Sequence, residues 1–396
     1  MFETVAAAPP DPILGLGEAF QNDPRAEKIN LTIGVYRDAS GRTPILKSVK
    51  QAEAKMLAEE TTKGYLGIEG LGDFNRLATE LTLGGLVPSN RIATVQTPGG
   101  TGALKVAADF LAKNFQQARV WCSNPTWPNH FSVFEVAGLG TKVYPYLAAD
   151  KRSLDIPALL ETLEREAKAG DAICLHACCH NPTGIDLTKA QWAEIAELTA
   201  QRGVLPLVDF AYHGFGDGLE EDRIGLAEIA KQHEEFFVCS SYSKNFGLYS
   251  ERVGALLAIS PDADTTARVA SSMKQSVRAN YSNPPRHGGA IVATILGDLQ
   301  LKNQWMSELA EMRGRIHEVR QQFVDRMQSI GCATDFSFLL DQRGMFSYSG
   351  LNPMQVDWLR KEKAIYMVGS GRINVAGITS QNLDVLCNSI NQALSI

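Results

Sequence analysis

The stretch Ile173-Cys174-Leu175-His176-Ala177-Cys178-Cys179-His180-Asn181-Pro182-Thr183-Gly184 sets a nearly unbroken apolar run against a polar turn. Such a run is expected of a strand covered on both faces. Downstream, Lys189–Arg202 carries an amphipathic helical pattern, and Leu205–Phe210 is a second apolar run leading into Asp209-Phe210-Ala211-Tyr212. Strand, turn, helix, strand is the repeating unit of a parallel sheet. The alternation continues in both directions. Strands are predicted at Val120–Ser123, Phe236–Ser240 and Val253–Ile259, and helices at Gly102–Asn114, Ile156–Lys168 and Arg223–His233. The fold class is therefore α/β with a mostly parallel sheet. After about Gly288 the pattern changes: a long helical stretch reaches about Ser329, short strands follow near Met345–Tyr348 and Arg372–Val375, and a helix closes near Asn382–Leu394. That part, joined by residues before about Pro44, is expected to form a smaller domain.

Composition narrows the function classes. The chain has 396 residues, 44% of them apolar and 21% charged, enough to bury a large core without disulfide or metal staples. A net charge of −6 gives no general attraction to nucleic acid or an anionic membrane. No run of 18 apolar residues suggests a membrane span. Seven cysteines, an odd number without a CxxC pair, read as free thiols in a reducing compartment. Met1–Pro12 lacks the basic-then-apolar order of a signal peptide, so a cytoplasmic location is expected.

Three polar motifs follow three of the predicted strands: His180-Asn181-Pro182-Thr183-Gly184, Asp209-Phe210-Ala211-Tyr212 and Ser241-Tyr242-Ser243-Lys244. Ligands of open α/β sheets bind outside the carboxyl ends of the strands, so these motifs converge on one edge. Gly99-Gly100-Thr101-Gly102-Ala103 leads into a predicted helix, where exposed N–H groups favour an anion such as phosphate. Gly15-Leu16-Gly17 is a weaker glycine turn with no strand before it. His176, Cys178, Cys179 and His180 invite a zinc reading. Alternation along a strand would point neighbouring side chains to opposite faces, so no metal is expected there.

The segment Ser241-Tyr242-Ser243-Lys244-Asn245-Phe246-Gly247-Leu248-Tyr249-Ser250-Glu251-Arg252 resembles the lysine motif of the aspartate aminotransferases. Asn181–Gly184, Asp209–Tyr212, Arg278-Ala279-Asn280-Tyr281-Ser282-Asn283-Pro284-Pro285 and Ser370–Gly377 match the same family, in order, from about Asp11 to the C-terminus. The resemblance implies a fold-type I enzyme using pyridoxal phosphate (PLP). Its large domain, over residues 45–311, would hold a seven-stranded sheet between helices. Residues 13–44 and 312–396 would form the small α/β domain, and residues 1–12 an N-terminal arm.

The resemblance also implies roles. Lys244 would form the Schiff base with the cofactor and then shuttle the substrate Cα proton. Asp209 would pair with the pyridine nitrogen. Tyr212 and Asn181 would bind the phenolic oxygen, and Trp127 would stack on the ring. Gly100, Thr101, Ser241, Ser243 and Arg252 would hold the phosphate, joined by Tyr65 of a second subunit. Arg372 would clamp the substrate α-carboxylate. Arg278 of the second subunit would take the distal carboxylate, with Ser282 nearby. Gly34, beside Ile33, would lie on the segment that closes over substrate. A homodimer with shared sites, acting on small dicarboxylic amino and keto acids, follows from these roles.

Within the family, Val35, Thr43, Thr101, Asn283 and Arg37 resemble the aspartate branch rather than the aromatic one, whereas Gly64 and His213 depart from the usual Asn and Gln. The reading is transamination of L-aspartate with 2-oxoglutarate, the alternative being an aromatic or dual-specificity aminotransferase. Another PLP reaction is disfavoured by Arg278. A nicotinamide dehydrogenase is disfavoured because no strand–GxGxxG–helix unit is present. A non-catalytic binding module is disfavoured by the intact lysine, aspartate and arginines.

Overall fold

The structure, a computed structural model, describes residues 1–7 and 14–396. Part of the expected arm over 1–12, and the expected first residue of the small domain, therefore lie outside the described residues. Eleven strands occur among the described residues: β1 (Ile29–Asn30), β2 (Ile92–Pro98), β3 (Arg119–Asn124), β4 (Gly140–Pro145), β5 (Ala172–His176), β6 (Leu205–Phe210), β7 (Phe236–Ser241), β8 (Val253–Ile259), β9 (Phe346–Tyr348), β10 (Ile365–Tyr366) and β11 (Arg372–Asn374).

Seven of them form one sheet in the order β2-β8-β7-β6-β5-β3-β4. Only β8 runs antiparallel to its neighbours. Apolar side chains alternate between two clusters, one on each face. Trp121, Ile173, Leu175, Val208 and Val238 join one, while Val120, Cys122, Cys174, Leu207 and Cys239 join the other. Burial on both faces is why these strands read as continuous apolar runs.

Three expectations are corrected. β2 and β4 have no apolar run and escaped the sequence reading. β2 mixes Thr94 and the buried polar Gln96 and Thr97 with buried Ala93 and Val95, and β4 is an edge strand with Val143 about half exposed. The strand expected over Ile173–Cys179 stops at His176. There the backbone N–H groups of Cys179 and His180 turn to donate to the Asp186 carboxylate at 2.6 and 2.8 Å, with Cys179 at φ +51°. The long helical stretch is two helices, Arg286–Gly297 and Leu299–Ser329, divided at Asp298, whose side chain caps the second by accepting from Gln300 and Leu301 N–H.

Residues from both ends of the chain meet. β1 pairs in parallel with β10, and Leu31 bridges Tyr366 and Asn374 through backbone hydrogen bonds of 2.8 Å each. β9 and β11 pair antiparallel, bringing Phe346 opposite Asn374 and Tyr348 opposite Arg372. All seven cysteines are free thiols. Among the described residues no helix is long and apolar enough to cross a membrane.

Candidate active site

A cavity of about 260 Å³ opens at the carboxyl ends of β2, β3, β5, β6 and β7. The antiparallel course of β8 places its amino end on the same edge, so Arg252, just before Val253, joins the residues delivered by the parallel strands. Twelve of the fifteen residues expected from sequence line it: Gly34, Gly100, Thr101, Trp127, Asn181, Asp209, Tyr212, Ser241, Ser243, Lys244, Arg252 and Arg372. Tyr65, Arg278 and Ser282 do not. Tyr65 is almost fully exposed, and the exposed Arg278 guanidinium donates to the Ser282 hydroxyl on the chain's own surface.

One wall suits an anion. Helix Gly99–Asn114 begins directly after β2, and no side chain caps its amino end. Its first N–H groups therefore face the cavity with the positive end of the helix dipole. The approach is close because Gly254 on β8 lacks a side chain. A Cβ there would sit 2.5 Å from Gly99 O and 2.8 Å from Gly100 N, both incompressible backbone. Gly99 itself has φ +76°, and a Cβ on it would lie 2.5 Å from Arg252 Nη2. Arg252 Nη1 donates to Ser243 Oγ at 3.2 Å and to Tyr249 O at 3.0 Å. Gly254→Ala is expected to push this helix end outward, costing about 1–3 kcal/mol of stability and weakening phosphate-ester binding about tenfold. Thermal melting with and without the ligand checks both effects.

The opposite wall holds Asp209 ionised. Burial alone would raise its carboxyl, but the His130 hydrogen bond at 3.1 Å, helped by the positive charge of Lys244, holds it below the usual carboxylate range. His130 Nε2–H donates to Asp209, and its Nδ1 bonds Thr126 Oγ1 at 2.8 Å. Thr126 in turn accepts from His176 Nε2 at 3.2 Å. Burial pushes His176 down to about 3, so it stays uncharged. The ring of His176 packs 4.3 Å from that of His180, which bonds Ser123 Oγ and Thr183 Oγ1 at 2.9 Å each.

The strand ends at His176, and the turn beyond it sets the His180 ring against that of His176. Both rings bond hydroxyls, and among the described residues no group of three or more ligands is set to hold a metal.

Lys244 lies between these walls, with Nζ 4.8 Å from the Tyr212 ring. Burial lowers its pKa, with Asp209 pulling the other way and Arg252 adding to the decrease. An amine depleted of its proton is a better nucleophile and base. Arg372 closes the cavity. It is 3% exposed, donates Nη2 to Thr32 O at 2.6 Å, packs 4.2 Å from the Phe346 ring, and leaves Nε without a partner. Burial lowers its pKa while leaving a guanidinium charged at neutral pH. Phe346 also fixes Gly34, where a Cβ would meet the ring at 2.7 Å.

Sequence reasoning missed Leu104, Ala211, Phe346, Tyr249 and His130. Tyr249 stood inside the quoted lysine motif without a role. His130 follows Thr126 at the i, i+4 spacing of a helical turn, the one signal that could have suggested it.

The family model for aminotransferase class I and II matches residues 26–390. An aspartate aminotransferase of Escherichia coli (strain K12) is 55% identical over 393 residues, covering 98% of this chain and 99% of its own. An aromatic-amino-acid aminotransferase of Pseudomonas aeruginosa is 48% identical, covering 99% and 98%. The crystal structure of an aromatic-amino-acid aminotransferase from Burkholderia pseudomallei, covalently bound to pyridoxal phosphate, superimposes with a TM-score of 0.97 at 45% identity, covering 100% and 99%.

Proposed function

The chain belongs to the class I and II aminotransferases, and we propose that it moves the amino group of L-aspartate to 2-oxoglutarate on PLP held in this cavity, giving oxaloacetate and L-glutamate. One observation carries the reading: a lysine amine, an ionised carboxylate, an uncapped helix end and an arginine with a spare donor share a single cavity.

The residues fit PLP. Gly100 and Thr101, with Ser241, Ser243 and Arg252, would hold its phosphate at the helix end. Trp127 would cover one face of its ring, Asp209 would meet the protonated ring nitrogen, and Tyr212 with Asn181 would meet its phenolic oxygen. When bound, PLP supplies an aldehyde that condenses with amines and a ring that accepts the electron pair of the broken Cα–H bond. Lys244 would hold the aldehyde through its amine, the position a substrate amine would take in turn. The Lys244 amine, once free, would carry the proton between the substrate Cα and the former aldehyde carbon. Arg372 holds the α-carboxylate through its spare donor, which fixes the Cα–H bond beside Lys244. Ile33 and Gly34 would cover the substrate and exclude water.

Preference for aspartate rests on the higher identity to the aspartate enzyme and on Val35, Thr43, Thr101 and Asn283, which resemble the aspartate branch; the charge of Arg278 suits a distal carboxylate. Its position outside the chain's own cavity, like that of Tyr65, supports a homodimer in which each chain completes its partner's site. The division into a large unit over 45–311 and a small one over 13–44 and 312–396, and a cytoplasmic location, belong to the same proposal.

The holoprotein is expected to turn over aspartate and 2-oxoglutarate with parallel-line, ping-pong kinetics, and to act more slowly on phenylalanine. A kcat/KM higher for phenylalanine than for aspartate would move the assignment to the aromatic branch.

A further inference from the structure

We infer that Tyr249 is a positioning residue that ties the segment over the cavity, residues 32–36, to the phosphate-side wall. The segment is gripped from one side by the C-terminal strands. Arg372 donates to Thr32 O at 2.6 Å, and Asn374 Nδ2 donates to Ile33 O at 2.5 Å and Val35 O at 2.9 Å. The other side has a single tie. The Tyr36 N–H donates to the Tyr249 phenol oxygen at 2.8 Å. Among the described residues, no other hydrogen bond joins residues 29–44 to residues 45–311.

Tyr249 also faces the cradle. Its carbonyl accepts from Arg252 Nη1 at 3.0 Å, and the same nitrogen donates to Ser243 Oγ. Its side chain lines the cavity beside Lys244 and Gly34. Burial raises the phenol pKa, so the ring stays neutral and can accept the Tyr36 N–H while keeping its own O–H. One residue thus reads the arginine that would carry the anion and fixes the height of the segment that would cover the substrate. Loss of the phenol oxygen would leave the Tyr36 N–H without its partner, loosening the cover but not the cradle, which uses the Tyr249 backbone.

This inference rests on the aminotransferase reading, so its test has two independent readouts. Tyr249→Phe keeps the ring and removes only the oxygen. In the apo and PLP-loaded protein, amide hydrogen exchange across residues 31–37 is expected to quicken about tenfold, with PLP affinity changed by less than about twofold. In the holoenzyme, KM for aspartate and 2-oxoglutarate is expected to rise about tenfold, with kcat falling less than about threefold. Unchanged exchange and KM would overturn the inference, and so would a loss of PLP affinity matching the rise in KM, which would place Tyr249 in the cradle alone. A wild-type protein without transaminase activity would sink the functional reading, while the exchange experiment would still decide the role of Tyr249.

Discussion

Lys244→Ala protein is expected to bind PLP and to lose transamination, with kcat about 10⁴-fold lower. Two roles disappear with one amine. Lys244 holds the cofactor for exchange with substrate, and its freed amine is placed to move the Cα proton, sitting between ionised Asp209 and the Arg372 donor. The cradle remains, because Arg252, Ser243 and the helix end at Gly100 do not depend on the lysine. Fold stability should not suffer. Burial lowers the Lys244 pKa, so its ammonium is held at a cost that Ala removes. The sign follows from linkage. Where the folded pKa is depressed, the wild-type apoprotein gains stability as pH rises through the folded value towards the unfolded one near 10.4. Lys244→Ala should lack that rise. Rapid-quench assays of the PLP-loaded variant, with melting curves from neutral to alkaline pH, check both parts. Partial rescue by added small amines would tie the loss to the missing base.

Arg278→Ala is expected to lower kcat/KM for aspartate about 10²–10³-fold, with little change for phenylalanine. Truncating one partner of a desolvated charged pair costs about 2–5 kcal/mol, whereas an aromatic substrate offers no distal carboxylate to lose. The side chain is exposed and its one hydrogen bond is to Ser282, so the fold should tolerate the change. Mixing reads out the subunit of origin. After exchange of Arg278→Ala and Lys244→Ala chains, half the dimers are hybrids. If the arginine crosses the interface, each hybrid holds one wholly intact site, restoring about a quarter of wild-type activity. If the arginine served its own chain, every site would carry a lesion and no activity would return.

Much of the site was legible because its residues follow strands that read plainly. Asn181, Asp209 and Lys244 come after β5, β6 and β7, each buried on both faces and so written as apolar runs. β2 was not legible. Gln96 and Thr97 are buried but polar, and Gln96 is occupied in bonding Leu71 N and Pro285 O. The anion wall after β2 was visible only through its glycines. The histidine chain behind Asp209 was invisible because it depends on contacts between segments distant in sequence: Thr126 and His130 near one helix start, His176 at a strand end and His180 beyond a turn. Tyr65, Arg278 and Ser282 could be named from motif context, yet their geometry within one chain leads away from the cavity. Pattern alone could not show that.

The most direct test mixes PLP-loaded enzyme with L-aspartate in the absence of any keto-acid acceptor and counts products. One equivalent of oxaloacetate per chain, no free ammonia, and recovery of the amino group as glutamate on adding 2-oxoglutarate is the expected result. Continued product formation without an acceptor, with ammonia released, would contradict transamination as the reaction of this site.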